Sequence, residues 1–327
     1  RLREAGIPTY DLGGWKPRHF FRAYRSLRRL IRDEKPDLIH THLFHATVIG
    51  RLASLRSRIP TVATVHIAER RKRPWHFRLD RWTRFRCRAW TAVSAAVADF
   101  HARKAKIPRE RFEVIHNGID LGRFAPPADR REAKKRLGLE AEGLTVGAFG
   151  RFDPQKGLDL FLEAVSRLAP RHPETRFVLA GYGPEEAQYR ARIGRDDLKG
   201  RVLLLGRQDR PEALYQALDI FAFPSRYEGF GLVLVEAMAC GAAVVAAKVD
   251  SVPEILAEDA RAGILVEPEN PDALARALER LIRSEAERQA LSVRARKRAE
   301  DFSLTSMVAK YEALYARILP ADEESAP

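Results

Sequence analysis

Short apolar runs alternate with helical periodicity along nearly the whole chain. In the second half, such runs are separated by stretches such as LDLFLEAVSRLA, whose apolar residues recur every three or four positions. Apolar strands bounded by amphipathic helices are typical of a parallel sheet covered on both faces. The predicted strands of this half are TVGAFG (145–150), RFVLAG (176–181), VLLLG (202–206), IFAFPS (220–225), AVVAA (243–247) and GILV (263–266).

The first half repeats this rhythm less regularly. Its predicted strands are IPTYDL (7–12), DLIHTH (37–42), TVATVH (61–66), WTAVS (90–94) and FEVIHNG (112–118). The alternation in both halves predicts an α/β protein with two Rossmann-like, doubly wound domains that face each other across a cleft.

A charged segment with two adjacent prolines separates the two halves. The C-terminal segment has the pattern of an amphipathic helix with Ser303 as its N-cap, and it could pack on either domain. We assign residues 1–124 to an N-terminal Rossmann-like domain, 125–142 to a linker, 143–302 to a C-terminal Rossmann-like domain, 303–319 to the C-terminal helix and 320–327 to a disordered tail.

The first residues indicate that the N-terminal domain is incomplete. The chain begins with Arg1 rather than Met, and RLREAGIPTYDLGG reads as the end of a helix followed by a strand. We therefore expect a preceding segment to be absent.

Positive charge is concentrated in the first half. The chain has 58 Lys and Arg against 44 Asp and Glu, a net charge of +14. Residues 1–124 contain 28 basic and 11 acidic residues, whereas the remainder contains 30 and 33. This asymmetry indicates either an anionic partner for the first half, such as phosphate, acidic lipid or nucleic acid, or a solvated basic surface.

Cysteine use and hydropathy favour a cytoplasmic protein. Cys87 and Cys240 lie in different halves without metal-ligand spacing, which argues against a disulfide framework or a zinc site. No run reaches the ~18 apolar residues of a membrane span, and no signal peptide is recognisable.

Glu236 is the one polar residue in the otherwise apolar run from Leu232 to Cys240. An ionised carboxylate in an apolar helix is costly unless it is paired, so Glu236 is either a structural acid with a buried partner or a ligand-binding acid. The preceding strand and the segment Gly229–Gly231 favour ligand binding, because strand–loop–helix connections lie at the carboxyl edge of a parallel sheet. Glu228 lies in the same loop.

A second glycine-containing connection follows the strand that begins at Thr145. In GAFGRFDPQKG, Gly150 permits close approach of the backbone, and Arg151 and Lys156 supply cations suited to phosphate, although two ordinary surface cations are the alternative. The segment lacks G-x-G-x-x-G and G-x-x-x-x-G-K-[ST], which argues against a dinucleotide or P-loop site.

Four motifs together resemble the retaining glycosyltransferases of family 4, which have the GT-B fold. They follow the family's order across residues 145–255. The motifs are GRFDPQKG, GYGPE, FPSRYEGFGLVLVEAMACG and VPEI, and a looser N-terminal match covers DLIHTHLFHA, TVATVH and VSAAVADF with VIHNGID.

The resemblance implies a role for each matching residue. Arg151 and Lys156 would hold the diphosphate of a nucleotide sugar and stabilise its developing charge without a metal. Glu228 would contact sugar hydroxyls, and Glu236 would accept hydrogen bonds from the ribose. The other implied donor-binding residues are Gly150, Gly181, Phe230, Gly231 and Leu232.

Histidines of the first half match the acceptor side of the family. His66 corresponds to a catalytic histidine near the reacting sugar, with a purely structural strand-end histidine as the alternative. His42 and His45 are expected to line the acceptor cleft. Together with His40 they could suggest a metal site, but no carboxylate–histidine pattern accompanies them, and we expect no metal.

The sequence departs from the family pattern in two places. Relatives usually have a glycine pair before the proline–glutamate of VPEI, where this chain has Asp250 and Ser251, whose side chains could narrow the sugar pocket or change its preference. The family's first strand and its glycine-rich loop would precede Arg1, so this polypeptide alone could be weakly active or inactive.

The stretch ERRKRPWHFRLDRWTRFRCRAW (69–90) interleaves basic and aromatic residues. This pattern suits an amphipathic helix on an anionic membrane surface, or a helix with aromatics in the core and solvated cations. Binding of single-stranded nucleic acid is disfavoured, because no DNA- or RNA-binding motif accompanies the stretch.

The sequence therefore predicts a retaining glycosyltransferase that uses a UDP-, GDP- or ADP-sugar, without a cofactor or metal. The expected acceptor is a lipid-linked or polysaccharide precursor of an envelope glycan, and the expected location is cytoplasmic, peripheral at the inner face of the membrane. The alternatives are a sugar-nucleotide epimerase of similar fold and an inactive glycan- or phospholipid-binding remnant. The sequence does not indicate the donor base, the sugar, the acceptor, the linkage or the oligomeric state.

Overall fold

A computed structural model of the chain describes residues 2–13, 19–57, 59–68, 70, 73–257 and 261–319. The chain divides into two units. Unit 1 comprises residues 1–115 and 309–327, and unit 2 comprises residues 116–308.

Unit 1 contains a parallel sheet of four strands with its connecting helices. The strands are β1 (Ile39–His42), β2 (Thr61–Val65), β3 (Cys87–Ala92) and β4 (Phe112–Val114), and the helices are α1 (Phe20–Glu34), α2 (Phe44–Ala53), α3 (Pro74–Thr83) and α4 (Ala95–Ala105). The strands lie in the order β1-β2-β3-β4. The interior strand β2 is buried over four of its five residues, and four of the five are the β-branched residues Thr and Val, which favour strands.

Unit 2 contains a parallel sheet of six strands. The strands are β5 (Thr145–Arg151), β6 (Arg176–Tyr182), β7 (Val202–Leu205), β8 (Ile220–Phe223), β9 (Ala243–Ala247) and β10 (Ile264–Val266). The helices are α5 (Arg130–Arg136), α6 (Leu158–Leu168), α7 (Glu186–Ile193), α8 (Pro211–Gln216), α9 (Leu232–Ala239), α10 (Val252–Ile255), α11 (Pro271–Arg283) and α12 (Glu285–Ala299).

The strand order of unit 2 determines where a ligand can bind. The order is β10-β9-β8-β5-β6-β7, so the first strand, β5, lies in the middle of the sheet beside β8. From this pair the chain runs outward in opposite directions. In such a sheet, the loops that leave the carboxyl ends of the two central strands diverge and form a ligand-binding crevice.

The predicted α/β class is confirmed, and the core explains the apolar runs of the second half. Helix α6 buries Phe161, Leu162 and Leu168, and helix α11 buries Leu278 and Leu281 in the same core cluster. Because strands such as β9 are buried at every position, their sequences are continuously apolar rather than alternating.

The C-terminal helix α13 (Leu304–Ile318) begins in unit 2 and ends in unit 1. Its predicted N-cap is confirmed, because the Ser306 amide donates to Ser303 Oγ at 3.1 Å. Residues from Ala309 onward belong to unit 1. The sequence analysis assigned residues 303–319 to a separate segment, whereas the structure divides this helix between the two units.

The division between the units also differs from the predicted boundary after residue 124. The Ile119 amide donates to the Phe302 carbonyl at 2.9 Å, and the Leu304 amide donates to the Ile119 carbonyl at 2.8 Å. These bonds attach the segment from His116 onward to unit 2.

The predicted linker, residues 125–142, contains helix α5 and packs as part of unit 2. The buried Lys134 ammonium donates to Asp219 Oδ2 and to the Gly143 carbonyl, both at 2.7 Å. Its structure therefore corresponds to an integral segment of the unit rather than to a hinge between domains.

The prediction of a helix end and a strand at the beginning of the chain is wrong. Residues 2–6 form turns, and residues 7–13 have no regular secondary structure. Pro8 lacks the amide proton that a sheet requires, and Ile7 and Tyr10 are about half exposed rather than buried. The predicted disordered tail lies outside the described residues.

Candidate active site

Two loops at the carboxyl edge of the unit 2 sheet carry most of the predicted site residues. The β5–α6 loop (152–157) contains Lys156, and the β8–α9 loop (224–231) contains Glu228, Phe230 and Gly231. Because β5 and β8 are parallel neighbours, both loops leave the same edge of the sheet.

An ion pair joins the two loops. Lys156 Nζ lies 2.6 Å from Glu228 Oε1, and Glu228 is only 4% exposed. The pair uses one of three ammonium protons and one of two carboxylate oxygens, so both groups keep hydrogen-bonding capacity for a ligand. The structure thus places two of the predicted catalytic residues in direct contact.

Arg226 and Gln155 connect the same two loops through further hydrogen bonds. The Arg226 guanidinium donates to both carboxylate oxygens of Asp159, at 2.8 and 2.7 Å, and to the Pro154 carbonyl at 2.7 Å. Gln155 Nε2 donates to the Tyr227 carbonyl at 2.9 Å. The hydrogen bond to Asp159 raises the pKa of Arg226. Sequence reasoning missed these residues, because their partners are distant along the chain.

The glycine at position 181 is required by close backbone contact. An added Cβ would lie 1.9 Å from the Gly150 carbonyl oxygen, and the Gly181 φ is +149°. This packing at the ends of β5 and β6 accounts for the glycine whether or not a donor contacts it. A donor-binding role for Gly150 and Gly181 stays a prediction.

The amino end of α9 presents unbonded amides at the same edge. Its N-cap is Gly231, with φ +84° and no side-chain capping bond. Among the described residues, the Leu232 and Val233 amides have no acceptor, as is usual for the first turn of a helix. Leu232 is 40% exposed, whereas Phe230 is buried. Such amides can bind an anionic oxygen.

Glu236 has a buried hydrogen-bond partner, Tyr215 of α8. The Tyr215 hydroxyl donates to Glu236 Oε2 at 2.8 Å. Burial raises the pKa of Glu236, and the hydrogen bond from Tyr215 opposes this shift. Burial and the nearby carboxylate raise the pKa of Tyr215 well above its usual value, so its hydroxyl stays protonated. Oxygen Oε1 of Glu236 makes no hydrogen bond with any residue that the structure describes.

Arg151 ends strand β5, opposite Tyr182 of β6. Its side chain is exposed, and it makes no hydrogen bond or ion pair with any residue that the structure describes. A cation held at the carboxyl edge of a sheet without a protein partner is available to an anion.

A histidine cluster lies at the carboxyl ends of β1 and β2 in unit 1. His42 Nδ1 lies 2.8 Å from His66 Nε2. His40 bonds through Nδ1 to the Tyr315 hydroxyl and through Nε2 to the Thr64 hydroxyl, both at 2.6 Å. Burial and the charges of the neighbouring histidines lower the pKa of His40 to about 4, and burial also lowers the pKa values of His42 and His66.

His45, the other predicted acceptor-side residue, lies outside this cluster. It is exposed on the first turn of α2, where its ring contacts Phe44 at 5.3 Å between centroids. The structure therefore brings together His42 and His66, and not His45.

Metal-ligating side chains and thiols are the other chemically reactive groups of the chain. Within the described ranges, no group of three His, Cys, Asp or Glu side chains could hold a metal ion. Cys87 and Cys240 are buried free thiols, and burial raises their pKa values to about 11 and about 12. Across the same ranges, no helix combines the length and apolar character needed to span a bilayer.

Two family profiles match the chain. The profile described as glycosyl transferases group 1 matches residues 129–298, and that described as glycosyltransferase family 4 matches residues 3–123. The first covers the two loops and α9, and the second covers the histidine cluster.

Curated relatives are glycosyltransferases. The lipopolysaccharide core biosynthesis mannosyltransferase LpsB of Rhizobium meliloti is 39% identical over 180 residues, which are 54% of this chain and 50% of that protein. The D-inositol 3-phosphate glycosyltransferase of Salinispora arenicola is 32% identical over 316 residues, which are 87% of this chain and 69% of that protein. The chain thus spans half of the first relative and about two thirds of the second.

Among solved structures, Anabaena Alr3699/HepE in complex with UDP is similar over 97% of this chain and 88% of that chain. The TM-score is 0.85 and the sequence identity is 25%. The same protein has also been solved with UDP and glucose. With both sequence profiles and this structural likeness, the chain belongs to the family 4 (group 1) glycosyltransferases and has the GT-B fold.

Proposed function

We propose that this chain transfers a sugar from a nucleoside diphosphate donor, with retention of anomeric configuration and without a metal. The observation that carries the proposal is the Lys156–Glu228 pair, which joins two loops at the sheet edge where β5 ends with Arg151 and where α9 begins. Cations and free amides suit a diphosphate, and a carboxylate suits sugar hydroxyls. The UDP and glucose bound by the Anabaena protein support this choice of donor.

The residues of unit 2 have separable roles in this proposal. Arg151 and Lys156 bind the diphosphate and stabilise the charge that develops on it as the glycosidic bond breaks. Glu228 accepts hydrogen bonds from sugar hydroxyls. Glu236, oriented by Tyr215, accepts hydrogen bonds from the ribose.

The acceptor is proposed to be a lipid-linked or polysaccharide precursor of an envelope glycan. The printed name of the Rhizobium meliloti relative, which refers to the lipopolysaccharide core, supports this class. In unit 1, His66 is proposed to lie near the reacting sugar, with His42 fixing its ring orientation through their hydrogen bond.

A peripheral site on an anionic membrane is proposed for unit 1. Residues 74–90 of the basic-aromatic stretch form α3, a 3-10 helix (Arg84–Arg86) and the first part of β3. Phe77 and Trp90 are buried, whereas Trp75, Trp82 and Phe85 are 49%, 75% and 72% exposed. Exposed aromatics interleaved with arginines suit the interface of an anionic bilayer.

Substitution of Arg151 gives the cleanest test of the site. Because its side chain has no protein partner among the described residues, Arg151→Ala should leave folding unchanged. We expect kcat to fall by about 10²–10³-fold, the cost of removing one group that stabilises developing charge. The assay is transfer or slow hydrolysis of UDP-, GDP- and ADP-sugars by the full chain.

The matched control is Arg195→Ala, an exposed arginine on the connection that leads into β7. This connection enters the sheet at its amino edge, so the control should keep wild-type kcat. Wild-type turnover by Arg151→Ala would overturn the site assignment. Inversion of the anomeric configuration, read by NMR of the product, would overturn retention, and loss of activity in EDTA with rescue only by a divalent ion would overturn metal independence.

A further inference from the structure

The turn that follows β9 makes two hydrogen bonds to the backbone of the β8–α9 loop. The Glu228 amide donates to Asp250 Oδ2 at 2.9 Å. The hydroxyl of Ser251, which is fully buried, donates to the Phe230 carbonyl at 3.1 Å. These two adjacent side chains thus hold the backbone on either side of Gly229.

Asp250 makes its contact from an unfavourable backbone conformation. Its φ is +40°, in the left-handed region that disfavours most non-glycine residues. A strained residue persists where its surroundings compensate for the strain, and strained residues occur often at functional sites. Here the compensating contact is a charge-assisted hydrogen bond to the amide of the residue whose carboxylate pairs with Lys156.

Two aromatic contacts fix the position of the Phe230 ring. It stacks on His116 at 5.6 Å and meets Phe302 edge-on at 5.5 Å between centroids. His116 in turn bonds through Nε2 to Glu254 Oε1 at 2.6 Å, and Glu254 lies on α10 directly after the turn. The loop is therefore fixed through its backbone at two points and through one side chain.

We propose that Asp250 and Ser251 are positioning residues that set the fit of the donor sugar. They act on Glu228 and Phe230 through the backbone, and not on the diphosphate, which Arg151, Lys156 and the amino end of α9 would bind. The inference rests on the proposed function and deepens it. It explains how this chain, with Asp-Ser in place of two glycines, gains side-chain hydrogen bonds to the loop that carries the sugar-binding carboxylate.

The proposal predicts that substitution of Asp250 lowers the affinity for the nucleotide sugar but not the affinity for the bare nucleotide. In Asp250→Gly the acceptor for the Glu228 amide is lost, while the backbone strain at position 250 is relieved. We expect the affinity for UDP-glucose or GDP-mannose, whichever the wild type binds, to fall about tenfold, as for loss of a hydrogen bond to a charged group. The affinity for UDP or GDP should stay unchanged, and the melting temperature should not fall.

Asp250→Asn is the rescue variant, because its amide oxygen can accept the same hydrogen bond. It should keep most of the wild-type preference for the nucleotide sugar over the bare nucleotide. Ala257→Gly is the matched control, since Ala257 also has a left-handed φ, +64°, in the same unit. Ala257→Gly relieves backbone strain at a position of the same kind without removing a hydrogen bond to the loop, and it should bind both ligands as the wild type does.

The measurement is isothermal titration calorimetry of the full chain with each nucleotide and its sugar conjugate, paired with thermal melting. Ser251→Ala provides an independent variant and should lower sugar affinity in the same direction. An equal loss for nucleotide and nucleotide sugar, or no loss in either Asp250→Gly or Ser251→Ala, would overturn the positioning role. Absence of any nucleotide-sugar binding by the wild type would instead overturn the proposed function and the inference with it.

Discussion

The Glu236 carboxylate has a buried structural partner at one of its two oxygens. Its Oε2 accepts a hydrogen bond from the buried Tyr215 hydroxyl, and its Oε1 has no such bond to Tyr215. The structural interpretation of the lone acid in an apolar helix is therefore supported, and its ligand-binding role stays a prediction. The bond from Tyr215 offsets part of the burial cost and orients the carboxylate.

Removing the Tyr215 hydroxyl should make nucleotide binding more sensitive to acid. Burial already raises the pKa of Glu236, and Tyr215 opposes that shift, so Tyr215→Phe should raise the pKa further. Because a protonated carboxyl accepts hydrogen bonds poorly, affinity for the bare nucleotide should decline at a higher pH in the variant. Calorimetric titration with the bare nucleotide at several pH values between about 5 and 8 would measure this shift in the pH at which affinity declines.

The control for this substitution is Tyr189→Phe. Tyr189 is also buried and donates to a glutamate, Glu185, at 2.7 Å, but on α7. The Tyr189→Phe variant loses a similar hydrogen bond elsewhere in unit 2. It should bind nucleotide with the same dependence on pH as the wild type. Identical profiles for wild type and Tyr215→Phe would contradict the role given to Tyr215.

At the scale of elements, the positions of the unit 2 strands along the chain could be predicted from the sequence. The order of these strands in the sheet could not. AVVAA coincides with β9, and TVGAFG with all but the last residue of β5, because strands buried on both faces must be continuously apolar. The pairing of β5 with β8 depends on the order of the sheet. For this reason the sequence indicated Lys156 and Glu228 separately, whereas the contacts of Arg226 and Asp250 required the fold.

The weaker predictions of the first half have a physical cause. IPTYDL has the apolar content of a strand, but periodicity alone does not show whether a neighbouring strand can pair with it. The basic-aromatic stretch likewise does not indicate which rings are buried. Phe77 and Trp90 are buried and contact the ring of His101 on α4, whereas Trp82 and Phe85 are exposed.

The histidine cluster should make the stability of unit 1 sensitive to acid. His40 has its pKa lowered to about 4, chiefly by burial, below the usual value near 6.5. Between these values the unfolded chain binds more protons than the folded chain, so the free energy of unfolding should decrease as the pH falls from about 6.5 to about 4. His42 and His66 shift in the same direction and add to the effect.

Denaturant unfolding at pH 7.5 and pH 5.0, followed by tryptophan fluorescence, would measure this dependence. All four tryptophans of the chain lie in unit 1, so the signal follows that unit. His40→Asn should show a smaller decrease between the two pH values than the wild type. His45→Asn, an exposed histidine outside the cluster, is the control, and an equal decrease in both variants would contradict the assignment.

At the scale of the whole molecule, charge and exposed aromatics concentrate in the same part of the chain. Residues 1–124 have 28 basic and 11 acidic residues. Trp82 and Phe85 are 75% and 72% exposed, with Arg81 and Arg84 beside them. A basic surface attracts an anionic bilayer by about 1 kcal/mol per residue near it, and inserted rings add an apolar contribution.

We therefore expect the full chain to sediment with phosphatidylglycerol vesicles and not with phosphatidylcholine vesicles. Binding should weaken in 0.5 M salt, roughly a 4 Å screening length, because exposed charges are then screened. The double substitution Trp82→Ser with Phe85→Ser should weaken binding by about tenfold through loss of the apolar contribution. Val293→Ser, which replaces a 69% exposed apolar residue of unit 2, should bind as the wild type does. Equal binding to neutral vesicles, or no effect of the double substitution, would mean that these cations and rings are only a solvated surface.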